Sequence, residues 1–176
     1  MTHSLHGMDE KVAALVGPRR VLVIDDESYI RKVIRTLLMT IGVRNIQEAS
    51  NGYAGLDAIR SFNPDVVLAD WEMPELDGPG FVRAVRSPET FPHPDVPIIM
   101  LTAHGERSRV IEAMRLGVNE YLLKPVSSQA LQARLVSVLA HPRPMIRRGD
   151  YYGPEPRKPS TYKPERDMDH TTLVLL

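Results

Sequence analysis

Short unbroken apolar runs alternate along the chain with stretches in which apolar residues recur every three or four positions. VLVI at 21–24 is the first run. Behind it, the segment from about Ser28 to Ile41 sets Ile30, Val33, Ile34, Leu37, Leu38 and Ile41 on one helical face, and Gly42 stops it. A short strand over Asn45–Ala49 and a helix over Gly52–Phe62 follow, broken by Asn63-Pro64. VVLA then leads into Asp70. After a turn at Asp77-Gly78 the pattern predicts a helix from Pro79 to Arg86 and a strand in PIIMLT (97–102). A helix from Arg107 to Leu116, closed by Gly117, precedes a strand over Glu120–Leu123. The last helix is capped by Ser127 or Ser128 and ends near Ala140. Five strand–helix units with continuous apolar strands predict an α/β fold, its parallel sheet buried on both faces by helices.

This unit spans residues 19–140, with an extension over 1–18 and a tail over 141–176. The proline-rich connection SPETFPHPDVP reads as a tolerated surface insertion over 87–95. Beyond His141 lie six of the fifteen prolines among Arg, Asp, Tyr and Gly, the composition of a flexible tail without a core. DYYGPEPRKPSTYKP fits either a docking peptide or an unbound linker. TTLVLL at 171–176 is β-prone and would be an adhesive strand unless a partner or a sheet edge holds it.

Composition narrows the classes. Of 176 residues, 43% are hydrophobic and 25% charged, which suits one globular domain with length to spare. Lys and Arg total 22 and Asp and Glu 22, so bulk charge predicts neither a nucleic-acid nor a membrane partner. The absence of cysteine removes disulfides, thiolate metal sites and Cys nucleophiles. The N-terminus lacks a basic n-region and carries only the brief apolar patch VAALV, so no signal peptide is expected. No apolar run reaches a membrane span, and a cytoplasmic protein is the expectation. His3, His6, His93, His141 and His170 are scattered without metal-ligand spacing.

Four of the strands point to chemistry. The first runs into Asp25-Asp26, the third ends on Asp70, the fourth on Thr102, and Lys124 follows the fifth. A single Asp at a strand end is usually a helix cap. In an open parallel sheet, however, the carboxyl ends of the strands share one edge, where ligands bind near the switch in strand order. Clustered carboxylates repel and take up protons unless a cation sits among them. A hard divalent ion, Mg²⁺ by preference, suits an all-oxygen donor set and leaves one Asp as a nucleophile toward phosphorus. Thr102 and Lys124 would then hold the transferred phosphoryl oxygens.

VLVIDDE, LADWEMPELDG, IIMLTA and YLLKP resemble, in order and spacing, the receiver domain of two-component response regulators, the CheY-like fold. The resemblance covers about residues 19–140. It implies a (βα)5 doubly wound domain with strand order 2-1-3-4-5, phosphorylated on Asp70 by a histidine kinase or histidine phosphotransfer protein. It implies Mg²⁺ held directly by Asp26, Asp70 and the backbone carbonyl of Glu72, with Asp25 acting mainly through water. Lys124 would pair with the phosphoryl group, and Lys124-Pro125 would be a cis peptide. Thr102 and Tyr121 would form the switch, Tyr121 turning inward on phosphorylation. Glu72 and His104 would tune phosphoryl lifetime. Output is expected through the fourth predicted helix, the fifth strand and the fifth helix, toward a downstream protein target.

The 36 residues after 140 are too few and too proline-rich for a self-sufficient output domain, which points to a stand-alone regulator. Two other classes compete. A Mg²⁺-dependent phosphohydrolase of the haloacid dehalogenase type also uses Asp, Thr and Lys on a parallel sheet, with an acid two residues after the nucleophile, where Glu72 stands. A phosphorylation-independent binding module would not need the full residue set.

Overall fold

A computed structural model describes residues 3–157, with side chains from residue 10 onward. Its centre is a five-stranded parallel sheet of β1 (Arg20–Ile24), β2 (Asn45–Ala49), β3 (Val66–Asp70), β4 (Ile98–Thr102) and β5 (Glu120–Leu123), in the order β2-β1-β3-β4-β5. The helices are α1 (His3–Val16), α2 (Ser28–Ile41), α3 (Gly52–Phe62), α4 (Gly78–Val85), α5 (Arg107–Leu116) and α6 (Ser128–Ala140). The predicted elements of the receiver-like unit lie within a residue or so of these bounds, the normal uncertainty of element ends. Among the described residues, no helix is long and apolar enough to cross a membrane.

Strand residues alternate between two cores because side chains on a strand point to opposite faces. Leu22, Ile24, Val67, Ala69, Ile98 and Met100 pack with Ile59 of α3, Phe81 of α4 and Val110 of α5. Val21, Val23, Leu68, Ile99 and Leu101 pack with Leu38 of α2 and Leu131 and Leu135 of α6. Two covered faces explain why the central strands are apolar at every position. Gly42 ends α2 at φ 111°, where its N–H donates to the carbonyls of Leu38 and Met39. That backbone region strains any residue with a Cβ.

The flanks differ from the sequence expectation. Most of the 1–18 extension is helix: Val16 of α1 is fully buried in the α2–α6 core, and Val12 and Leu15 pack against it. The tail expected to be coreless and flexible contains an antiparallel hairpin, β6 (Met145–Arg148) and β7 (Tyr151–Pro154). Its two-residue connection, Gly149-Asp150, has Gly149 at φ 57°. The hairpin has no core of its own and is held by polar contacts to the body. Arg143 donates to the carbonyls of Asn119 (2.6 Å) and Glu155 (2.8 Å). Arg157 meets Glu120 of β5, and Gly117 approaches the backbone of Tyr152 and Gly153 so closely that a Cβ would not fit. TTLVLL lies outside the described residues.

The 87–95 connection is more than a surface insertion, because it seats that hairpin. Arg147 pairs with Glu89, and the Tyr152 hydroxyl donates to Asp95. Phe91 is buried in the α3–α5 core, with the Arg60 guanidinium 4.9 Å from its ring centroid. Arg86 anchors the assembly from inside. It donates to the carbonyls of Gly117 (2.9 Å), Val96 (2.8 Å) and Pro94 and to Asn119 Oδ1 (2.8 Å). Burial lowers its pKa to about 10, so it remains charged, and the carbonyl dipoles supply what water would.

Candidate functional site

The parallel topology delivers the chemistry to one edge. β1 and β3 are neighbours, so the residue after Ile24 and the last residue of β3 emerge side by side. Asp25, Asp26 and Asp70 offer carboxylate oxygens that all lie within 4.8 Å of one another. Asp25 and Asp70 are buried and Asp26 is exposed. β5 stands two strands from β3, and Lys124 spans the gap. Its Nζ lies 2.8 Å from Asp25 Oδ2 and 2.9 Å from Asp70 Oδ1. The Lys124-Pro125 bond is cis.

Burial pushes the Asp70 carboxyl up to about 6; the Lys124 hydrogen bond and charge oppose that shift, while the Asp25 charge adds to it. Burial acts to lower the Lys124 ammonium, but its hydrogen bonds to Asp25 and Asp70 prevail and hold it above the usual lysine value. Asp25 is fixed from several sides. Its Oδ1 accepts the Glu27 N–H (2.9 Å), and its backbone carbonyl accepts from Arg31 (2.8 Å). The donor set fits a hard cation. Three carboxylates cluster about one ammonium, every donor is oxygen, and burial pushes the Asp70 carboxyl upward, a shift that added positive charge would oppose.

Thr102 is fully buried at the end of β4, and its Oγ1 accepts the His104 N–H (3.0 Å). Tyr121 is also buried, and its hydroxyl donates to the His104 carbonyl. The expected starting state, a solvated ring that turns inward only on phosphorylation, is therefore not the one seen. The ring is already packed, because the loop after β4 offers it an acceptor at the rim of the core.

Glu72 and His104 come together at the mouth, Oε1 to Nε2 3.0 Å, with Arg109 Nη1 4.0 Å from the same oxygen. Arg109 also lies over the Trp71 ring, 5.7 Å from its centroid. Neither Arg109 nor Arg31 stands out in the sequence, since each sits on a helix remote from Asp70. The helical position of Arg31, one turn after Asp26-Glu27, is the only local signal for it.

The family model for the response regulator receiver domain matches residues 21–136. The chain belongs to that family. It is 37% identical over 119 residues to the chemotaxis protein CheY of Pseudomonas aeruginosa, covering 68% of this chain and 94% of the relative. It is 38% identical over 122 residues to CheY1 of Helicobacter pylori, covering 68% and 96%. Among solved structures, the receiver domain of Francisella response regulator 1452 superposes with a TM-score of 0.63 at 31% identity, covering 69% of this chain and 97% of that one. Vibrio cholerae CheY4 gives 0.62 at 30%, covering 69% and 98%. α1 and the β6–β7 hairpin lie outside the receiver match.

Proposed function

We propose that this receiver accepts a phosphoryl group on Asp70 from a phosphohistidine of a histidine kinase or phosphotransfer protein, and signals through protein contacts. The observation that carries the proposal is the Lys124 ammonium bridging Asp25 and Asp70 across residues 99 and 54 positions away in sequence. An Asp70 oxygen forms a bond to phosphorus as the P–N bond to the donor imidazole breaks, and the imidazole leaves with that electron pair. Asp26, Asp70 and the Glu72 carbonyl would hold Mg²⁺, with Asp25 acting through water. The bound ion would neutralise the phosphoryl oxygens during transfer. Lys124 and the Thr102 hydroxyl would take the remaining oxygens, Lys124 by exchanging part of its contact with Asp70.

Phosphorylation adds roughly one and a half to two negative charges at Asp70. Drawing Thr102 toward them would release its oxygen from His104 and deepen the inward state of Tyr121, a population shift on the α5–β5–α6 face. The phosphohydrolase alternative needs Glu72 free as a general acid, whereas here its carboxylate is engaged with His104. The test is phosphotransfer from radiolabelled histidine kinases of the host. The proposal expects base-labile label on the wild type from at least one donor and none on Asp70→Asn. Multiple turnover of a small phosphate ester without a stable adduct would support the hydrolase instead.

A further inference from the structure

The β6–β7 hairpin of the tail does not merely lie on α5. Between them it leaves a cleft of about 320 Å³, walled by Val110, Ile111 and Met114 on one side and by Tyr151, Pro154 and Pro156 on the other. That is about twice the apolar cavity of roughly 150 Å³ that admits a benzene ring, room for two or three aliphatic side chains. Arg107 and Arg115, at the two ends of α5, stand on its rim. Arg157, the last described residue, lines the cleft too, so the segment that follows it in sequence is tethered beside the cleft.

Onward from Arg157 the sequence is mostly polar, with prolines at 159 and 164. Its one apolar run is Leu173-Val174-Leu175-Leu176, preceded by Glu165, Arg166, Asp167 and Asp169, with Lys158 and Lys163 nearer Arg157. We propose that this cleft is the docking site for the chain's own residues 171–176, with the acids before them facing Arg107 and Arg115. Three observations favour this occupant over a separate molecule. The apolar run matches the walls in chemistry, and two or three of its four side chains would fill the cleft. Residues 165–169, three acids and one base, are net acidic against the arginines of the rim. The tether from Arg157 to Leu173 spans up to about 50 Å when extended, enough to fold back along a ten-residue helix about 15 Å long. A tethered ligand also acts at an effective concentration that a free one rarely reaches. Docking would hide the β-prone run the sequence otherwise leaves exposed.

The natural chain has no cysteine, so an engineered pair reports the contact cleanly. Full-length protein carrying Ile111→Cys and Val174→Cys is oxidised at low concentration, beside a control carrying Met39→Cys and Val174→Cys. Ile111 and Met39 are both exposed, but Met39 lies on α2, across the sheet from the cleft. The expected result is an intramolecular disulfide forming at least about tenfold faster in the cleft pair. Equal rates overturn the proposal. Disulfide-linked dimers that rise with concentration also overturn it, assigning the cleft to a second copy. As an independent readout, the Met114 methyl resonance of the full chain should move on Leu173→Ser with Leu175→Ser, and an unmoved resonance overturns it. Neither measurement involves Asp70, so failure here leaves the phosphorylation proposal untouched.

Discussion

Glu72 Oε1 lies 3.0 Å from His104 Nε2, so residues two beyond Asp70 and two beyond Thr102 close on each other across the mouth of the site. On the proposed phosphorylation of Asp70, a pair in that position would govern how water approaches phosphorus. Alanine at either residue opens the same path, and the two effects should therefore fail to add. The expected outcome is a severalfold change in dephosphorylation rate for Glu72→Ala and for His104→Ala, with the double variant close to the larger single effect. Independent, multiplying effects in single-turnover decay would show that the contact does not set the lifetime.

Metal-free protein should lose stability as it leaves mild acid. The Asp70 carboxyl is raised from 3.8 to about 6, so the folded chain binds that proton more tightly than the unfolded one. Its contribution is fully present below pH 4 and is lost as pH rises through 6. The difference is on the order of 3 kcal/mol. Urea titrations between pH 4 and 7 should show a decline in the wild type that Asp70→Asn lacks and that Mg²⁺ reverses. Equal pH slopes in the two proteins would remove Asp70 as the cause.

Mg²⁺ affinity should fall most steeply in Asp26→Asn and Asp70→Asn, the proposed direct ligands, and less in Asp25→Asn, whose proposed role runs through water. The single tryptophan, Trp71, is buried next to Asp70 and provides the signal. Fluorescence titration with Mg²⁺ should order the variants that way. An unchanged midpoint for Asp26→Asn would exclude it as a ligand.

Arg86→Lys should destabilise the protein by about 2–3 kcal/mol, because one ammonium cannot reach four acceptors set around a planar fork. It should also loosen the hairpin, since Arg86 holds Gly117, which Tyr152 and Gly153 approach, and the 94–96 backbone, where Asp95 accepts from Tyr152. Limited trypsin digestion should cut faster after Arg147 or Arg148 in the variant. Equal cutting with a lowered midpoint would mean that Arg86 serves the core alone.

The strands and the acids at their ends were legible because each signal is local, while the strand order came only with the resemblance to the receiver family. A buried parallel strand must be apolar throughout, and a carboxylate at its end then stands out, as Asp70 does after VVLA. The hairpin was not legible because its partners are remote: Glu89 and Asp95 for Arg147 and Tyr152, Glu120 for Arg157. Proline and arginine read as solvated when nothing nearby in sequence reveals the acceptor. Gly149-Asp150, a two-residue connection between MIRR and YYGP, was the one local hint. α1 was hidden for a related reason, its apolar residues being few and completed only by α2 and α6. The rotamer of Tyr121 depends on the His104 carbonyl, which no spacing reveals.

The central claim is that Asp70 carries the phosphoryl group, and borohydride trapping tests it most directly. An acyl phosphate on a side-chain carboxyl is reduced by borohydride to the alcohol, which marks the residue permanently. Protein treated with acetyl phosphate and Mg²⁺, reduced and mapped by tandem mass spectrometry should carry homoserine at position 70 and nowhere else. The mark should be absent when Mg²⁺ is withheld or the reaction is run on Asp70→Asn. Reduction at position 25 or 26 with position 70 intact, or no reduction in a protein that has taken up phosphate, would contradict it.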